Sequence, residues 1–323
     1  MRTNWYIRRL QKIRHGSYVI SVPPEWISKE GLKPHNELYI VTNDGCLYIY
    51  VPYDVDNINI DVTNLDTSII KYLILSYYMQ GASEIHITSQ KPLGAETKRL
   101  VKETIKKLRN ADITDMGLNY IILRFKDETP YISIKDFLNE IENMFRFINN
   151  AVSDLVLAVI NSDKMVVEEV IERIDDFDKN YRYIIRIVSK MAQFPQYNVF
   201  PSPRELIAYA ALAKDLARSV YHLSKVANFY LHGANINGDA LMATKRLYDE
   251  LYKFYKLHNL ETVATIKHTY EYIKRLLQVP NNKAEYELRR LAAYSIAIMD
   301  DILNIYCVPP KKKKAVTENI HAE

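Results

Sequence analysis

Between Gly117 and Gly233 the chain runs for more than a hundred residues without a glycine. Glycine costs about 1 kcal/mol in a helix interior, so a run of this length without one is the pattern of long helices. Pro195, Pro201 and Pro203 cluster, Pro280 stands alone, and all four read as turns between helices. In the first helix Phe137, Ile141, Met144, Ile148, Val152, Leu155 and Val159 recur at steps of four and three, which lines them on one stripe. A second helix is predicted from about Asp163 to Gln193. A third runs from Pro203 to Leu231, with Ser202 as N-cap. After Gly238 the pattern restarts, at about Asp239 to His258, Leu260 to Gln278 and Asn281 to Tyr306. Residues 134–308 therefore read as a tandem of three-helix bundles, about 134–232 and 239–308.

The first 133 residues follow another logic. Residues 1–52 read as short strands: Leu47-Tyr48-Ile49-Tyr50-Val51 is β-branched and aromatic, and Asn43-Asp44-Gly45 before it signals a hairpin. In residues 53–133, Glu84 to Thr88 alternates like a strand, Ala95 to Leu108 is a lysine-rich amphipathic helix, and Tyr120 to Phe125 is another strand. The fold class is α+β and multidomain: a β domain at 1–52, a small α/β domain at 53–133, helical bundles at 134–308 and a basic flexible tail at 309–323. Lys311 to Lys314 in that tail suit either anionic docking or solubility.

Composition narrows the function. Two cysteines, Cys46 and Cys307, make neither a disulfide framework nor a four-cysteine zinc site, and a reduced, cytoplasmic setting fits. No apolar run suggests a signal peptide or membrane insertion. There is no Gly-x-x-x-x-Gly-Lys loop, Gly-x-Ser-x-Gly elbow or His-Glu-x-x-His, so the expectation is a non-enzyme without a cofactor. The eight histidines form no i, i+4 pair, and tyrosines such as Tyr248, Tyr252 and Tyr255 at helical spacing read as core and interface packing. The net charge of +4 implies no polyanionic partner by itself. Its distribution does, because Arg2, Arg8, Arg9, Lys12 and Arg14 fall within thirteen residues that contain no acid.

That basic strand meets the Gly16-Ser17 turn and is followed by Val19-Ile20-Ser21-Val22-Pro23, a short helix around Trp26, Gly31-Leu32 and the closing Leu47-Tyr48-Ile49 strand. Fifty residues with four short strands bury too little surface to be stable alone, so the missing surface comes from a second chain or from the rest of this one. In this order the features resemble the AbrB/SpoVT family of swapped-hairpin DNA-binding domains. The resemblance implies a homodimer of interleaved hairpins that binds double-stranded DNA through Arg8, Arg9, Lys12, Arg14 and His15. Arg8 and Lys12 would face phosphate, with Arg14 and His15 near the hairpin tip available for base edges. Where that family often has Lys-Gly-Asp after the helix, this chain has Lys33-Pro34-His35-Asn36-Glu37. Set against DNA binding stands a solvated basic strand that only blunts a sheet edge.

The helical region is similar to the PhoU family of tandem three-helix bundles. The match is clearest at Val167 to Asp178 and weaker at Leu216 to His222 and Leu288 to Tyr294. The whole plan resembles archaeal PhoU-like regulators. Such proteins often hold metal with a Glu-x-x-x-Asp pair on the third helix of each repeat. The corresponding positions here are Ala217 and Tyr221, and Arg289 and Ala293, so the resemblance implies no metal site. Glu172 and Asp176 keep that spacing on the second helix, opposite an expected buried stripe of Val167, Ile171, Ile174, Tyr181 and Ile185, and read as a solvated acidic face. Asp178 falls within the stripe and needs a hydrogen-bonding partner.

The expectation is a dimeric, DNA-binding transcriptional regulator whose helical region senses a signal or a protein partner. The alternatives are a PhoU-type adaptor docking on a transporter or signalling protein, and an architectural chromatin protein with little sequence preference.

Overall fold

The computed structural model describes residues 6–13, 16–43, 46–51, 57–126 and 132–308, which form two compact units, Met1–Asp54 and Val55–Glu323.

In the first unit, β1 (Gln11–Lys12) pairs antiparallel with β2 (Tyr18–Val19), Lys12 opposite Tyr18. Gly16 sits in the turn at φ +87°, a left-handed conformation that L side chains rarely adopt. Pro24 opens α1 (Pro24–Lys29), and Gly31, at φ +64°, ends it as Leu32 N–H reaches back to Ile27 O at 3.0 Å. At the Pro34-His35-Asn36 turn His35 takes φ +74°, and Asn36 Oδ1 accepts from Lys33 N–H at 2.7 Å. A non-glycine residue thus holds the left-handed position of this turn. β3 (Tyr39–Asn43) and β4 (Cys46–Tyr50) close an antiparallel hairpin.

The second unit starts with a four-stranded sheet in the order β5-β6-β8-β7: β5 (Ile58–Asp61), β6 (Glu84–Thr88), β7 (Ala111–Met116) and β8 (Tyr120–Phe125). The β5–β6 pair is parallel, joined through α2 (Thr67–Met79), and the other pairs are antiparallel. The alternation in Glu84 to Thr88 sends Ile85 and Ile87 inward, both fully buried against Ile70, Ile74 and Tyr78 of α2. Burial of each such side chain stabilises by about 1.5–3 kcal/mol. α3 (Ala95–Ile105) lies between β6 and β7 in the chain.

Six helices follow: α4 (Ile134–Asn161), α5 (Lys164–Gln193), α6 (Pro203–Leu231), α7 (Gly238–Leu257), α8 (Glu261–Leu276) and α9 (Lys283–Tyr306). Ser133, Asp163, Ser202, Asn237 and Asn282 cap five of them through side-chain oxygens. α4, α5 and α6 pack on one another, as do α7, α8 and α9, and the α6–α9 and α4–α7 contacts merge both sets into one core. α6 and α9 run antiparallel, with Arg204 donating to Asn304 O at one end and His222 meeting Glu287 at the other.

The buried line of α5 corrects the expected stripe. Val167, Val170, Phe177, Ile184, Val188 and Met191 are buried, while Ile171, Ile174, Tyr181 and Ile185 only flank the core. The reason is that α5 packs on three neighbours, α4, α6 and α2, so its apolar arc is wider than one stripe. On the α2 side Arg186, 2% exposed, donates through Nη1 to Tyr78 O at 2.9 Å and Ala82 O at 2.8 Å, with Tyr78 and Phe125 rings against it. It thereby gives Tyr78 O a second donor beside Gly81 N–H at 3.0 Å and satisfies Ala82 O just past the end of α2. Arg109–Glu140 at 2.9 Å and Gln193 Nε2 to Gln80 O at 2.8 Å strengthen the joint. The sheet layer and the helices are consequently one compact unit.

Candidate functional site

The first unit places Arg8, Arg9 and Lys12 on an exposed strand and its approach. Arg8 Cζ lies 5.2 Å from the Tyr6 ring centroid, and its Nη1 donates to Ile7 O at 3.2 Å. None of the three takes part in a salt bridge among the described residues. Arg14 and His15 lie outside the described residues, as do Lys311 to Lys314.

The described part of the same unit has no buried core. Not one described residue from Tyr6 to Val51 is buried. Ile7 is 94% exposed and Leu10 67%, and Tyr18, Ile20, Ile40 and Leu47 are all exposed as well. An open groove of about 850 Å³ runs along this surface, lined by Ile7, Ile20, Val22, Trp26, Leu47 and Ile49 among others. Burying these side chains would supply sizeable hydrophobic stabilisation to such a small unit.

In the helical unit Ala217 packs against the core, Tyr221 and Ala293 are exposed, and Arg289 donates to Gln278 O at 3.2 Å. The third-helix positions thus carry no carboxylate pair. Among the described residues no three His, Cys, Asp or Glu side chains are grouped so as to hold a metal ion. Glu172 and Asp176 are exposed, and Asp176 pairs with Lys179 at 2.9 Å. Asp178 finds its partner in Arg182, Nη2 to Oδ2 at 2.8 Å, one helical turn on.

The α6–α9 seam concentrates the polar chemistry that sequence reasoning missed. His222, 4% exposed, meets Glu287 at 2.5 Å and stacks on Tyr294. The buried Tyr248 hydroxyl lies 2.9 Å from Ser219 Oγ and 3.0 Å from Leu291 O, and burial pushes its pKa upward. Asp215 and Asp301 face the same seam from opposite helices. Burial pushes the Asp301 carboxyl up to about 7, reinforced by the charges of Asp215 and Asp300, and burial raises Asp215 also. No hydrogen-bond donor reaches the buried Oδ2 of Asp301 among the described residues. These groups come from positions about thirty to ninety residues apart in sequence, so no local motif announces them.

The PhoU domain family matches residues 141–229, from within α4 to the end of α6. The crystal structure of the phosphate transport system regulatory protein PhoU from Streptococcus pneumoniae is similar to the chain at 14% sequence identity, over 53% of this chain and 93% of that one, with a TM-score of 0.43. No curated protein matches the sequence. The chain thus carries a PhoU-like helical region in a mixed α+β architecture. No helix among the described residues is long and apolar enough to cross a membrane.

Proposed function

We propose that the protein is a dimeric, DNA-binding regulator with a PhoU-like helical region. Two copies of the first unit complete each other's core, and this brings Arg8, Arg9, Lys12, Arg14 and His15 of both chains to one duplex. The observation that supports this is the absence of any buried residue among the described part of a unit that also presents cations without carboxylate partners. Pairing doubles the positive charge of the hairpins, and charge of that kind acts mainly on phosphates. The helical unit has its own core and serves as the regulatory part, docking a protein partner.

Fluorescence anisotropy with a labelled duplex across a salt series tests the reading. Wild type is expected to bind with an affinity that falls steeply as salt rises. Replacing Arg8, Arg9, Lys12 and Arg14 by Ala should abolish most binding and lower the slope of log K against log salt by about 0.9 for each phosphate contact removed. A variant that binds as wild type does would refute the assignment. Competition by random DNA separates a site-specific regulator from an architectural protein.

A further inference from the structure

On α7, Tyr252 and Lys256 stand one turn apart and hold a single carboxylate between them. Tyr252 OH donates to Glu142 Oε1 at 2.9 Å, and Lys256 Nζ donates to Oε2 at 2.8 Å. Those two hydrogen bonds hold the Glu142 carboxyl below its usual range.

The same Tyr-x-x-x-cation spacing occurs twice on the outer face of the α6–α9 pair, as Tyr221 with Lys225 and Tyr286 with Arg290. Lys225 Nζ lies 5.3 Å from the Tyr221 ring centroid, and Arg290 Cζ lies 5.9 Å from that of Tyr286. Both rings are more than half exposed, at 56% and 51%. Arg218 and Tyr294 link the two helices here, Arg218 Nη1 to Tyr294 OH at 3.3 Å. Among the described residues Lys225, Arg290 and Arg218 belong to no salt bridge: Arg290 is hydrogen-bonded to the Tyr286 and Tyr294 hydroxyls, and Glu287, whose charge acts on it, is engaged by His222.

We propose that this face binds an acidic segment of a partner protein, one carboxylate being received by each tyrosine–cation pair. A phenol hydroxyl and a cation one turn apart offer two donors to the two oxygens of one carboxylate, which is the geometry that Glu142 already occupies. Two such pairs on adjacent helices require at least two acidic side chains. Tyrosine and arginine are also the residue types that dominate protein–protein hot spots. The proposal concerns the helical unit alone and stands apart from the DNA-binding reading.

The test is fluorescence anisotropy on the full chain with a fluorescein-labelled Glu-Ala-Ala-Glu repeat peptide at low salt, with oligothymidylate as the competing probe. The peptide is expected to bind. Lys225→Ala with Arg290→Ala should weaken it about tenfold. Tyr221→Phe with Tyr286→Phe, which removes hydroxyls and no charge, should weaken it about threefold. Arg8→Ala, Arg9→Ala and Lys12→Ala together should leave peptide binding unchanged, so failure here is distinct from failure of the DNA-binding reading. Four results overturn the proposal: no peptide binding, binding indifferent to the four helical positions, loss through the N-terminal cations instead, or oligothymidylate bound more tightly than the peptide through these same four residues.

Discussion

Asp301→Asn should stabilise the protein increasingly as pH rises above about 4. The Asp301 carboxyl is raised from its ordinary 3.8 to about 7, first by burial and then by Asp215 and Asp300. Between those two values the folded state holds a proton that the unfolded chain has released. Stability is therefore full below about pH 4, falls as pH rises, and levels off above about 7. At face value a shift of this size corresponds to about 4 kcal/mol. Asp301 is only half buried, so solvent screening reduces the effect to about 1–2 kcal/mol. Asparagine is the neutral isostere and carries no such penalty. At pH 8 the variant should melt about 3–6 °C above wild type, and near pH 4 the difference should shrink toward zero. Differential scanning calorimetry across that range measures it. An equal effect at both pH values, or destabilisation at pH 8, would mean that the ionised carboxylate has a stabilising partner and that the reasoning fails.

Three further substitutions probe the framework. Arg186→Met keeps the aliphatic volume but removes the Arg186 donor from Ala82 O and one of the two donors from Tyr78 O. It should cost about 2–5 kcal/mol in urea denaturation and speed hydrogen exchange in β6. Tyr248→Phe removes the hydroxyl shared by Ser219 and Leu291 and should cost about 1–2 kcal/mol in the same assay, with helix content by circular dichroism unchanged. Gly81→Ala forces an L side chain into φ +97° and brings its Cβ to 2.9 Å from Lys190 Cγ, so thermal melting should show a loss of about 1–2 kcal/mol.

The helices were legible because their signals are local. Ser202 before Pro203, the turn residues from Gly233 to Gly238, and the steps of four and three from Phe137 to Val159 each act within a few residues, and α5 to α9 fall within two residues of the expected limits. The turn at Gly16 and the alternation in Glu84 to Thr88 were readable for the same reason. Arg186 was not, because the carbonyls it satisfies belong to residues more than a hundred positions earlier. The width of α5's buried arc likewise depends on α2 packing beside it. The Tyr221–Lys225 and Tyr286–Arg290 pairs are unremarkable as spacings and gain meaning only when α6 and α9 lie side by side. Asp215 and Asp301 become a pair for the same reason. Of the N-terminal candidates, Arg8, Arg9 and Lys12 are exposed, and the duplex contact proposed for them depends on two chains, which one chain's sequence can only imply.

Sedimentation equilibrium on the full chain and on its Leu47→Asp variant bears most directly on the central claim, that a second copy covers the apolar surface of the first unit. Leu47 lines the open groove and is 52% exposed. Wild type should have twice the 37.8 kDa chain mass at micromolar concentration, and the variant should shift to the monomer. A wild-type monomer throughout, or a dimer that the aspartate leaves intact, would contradict the account.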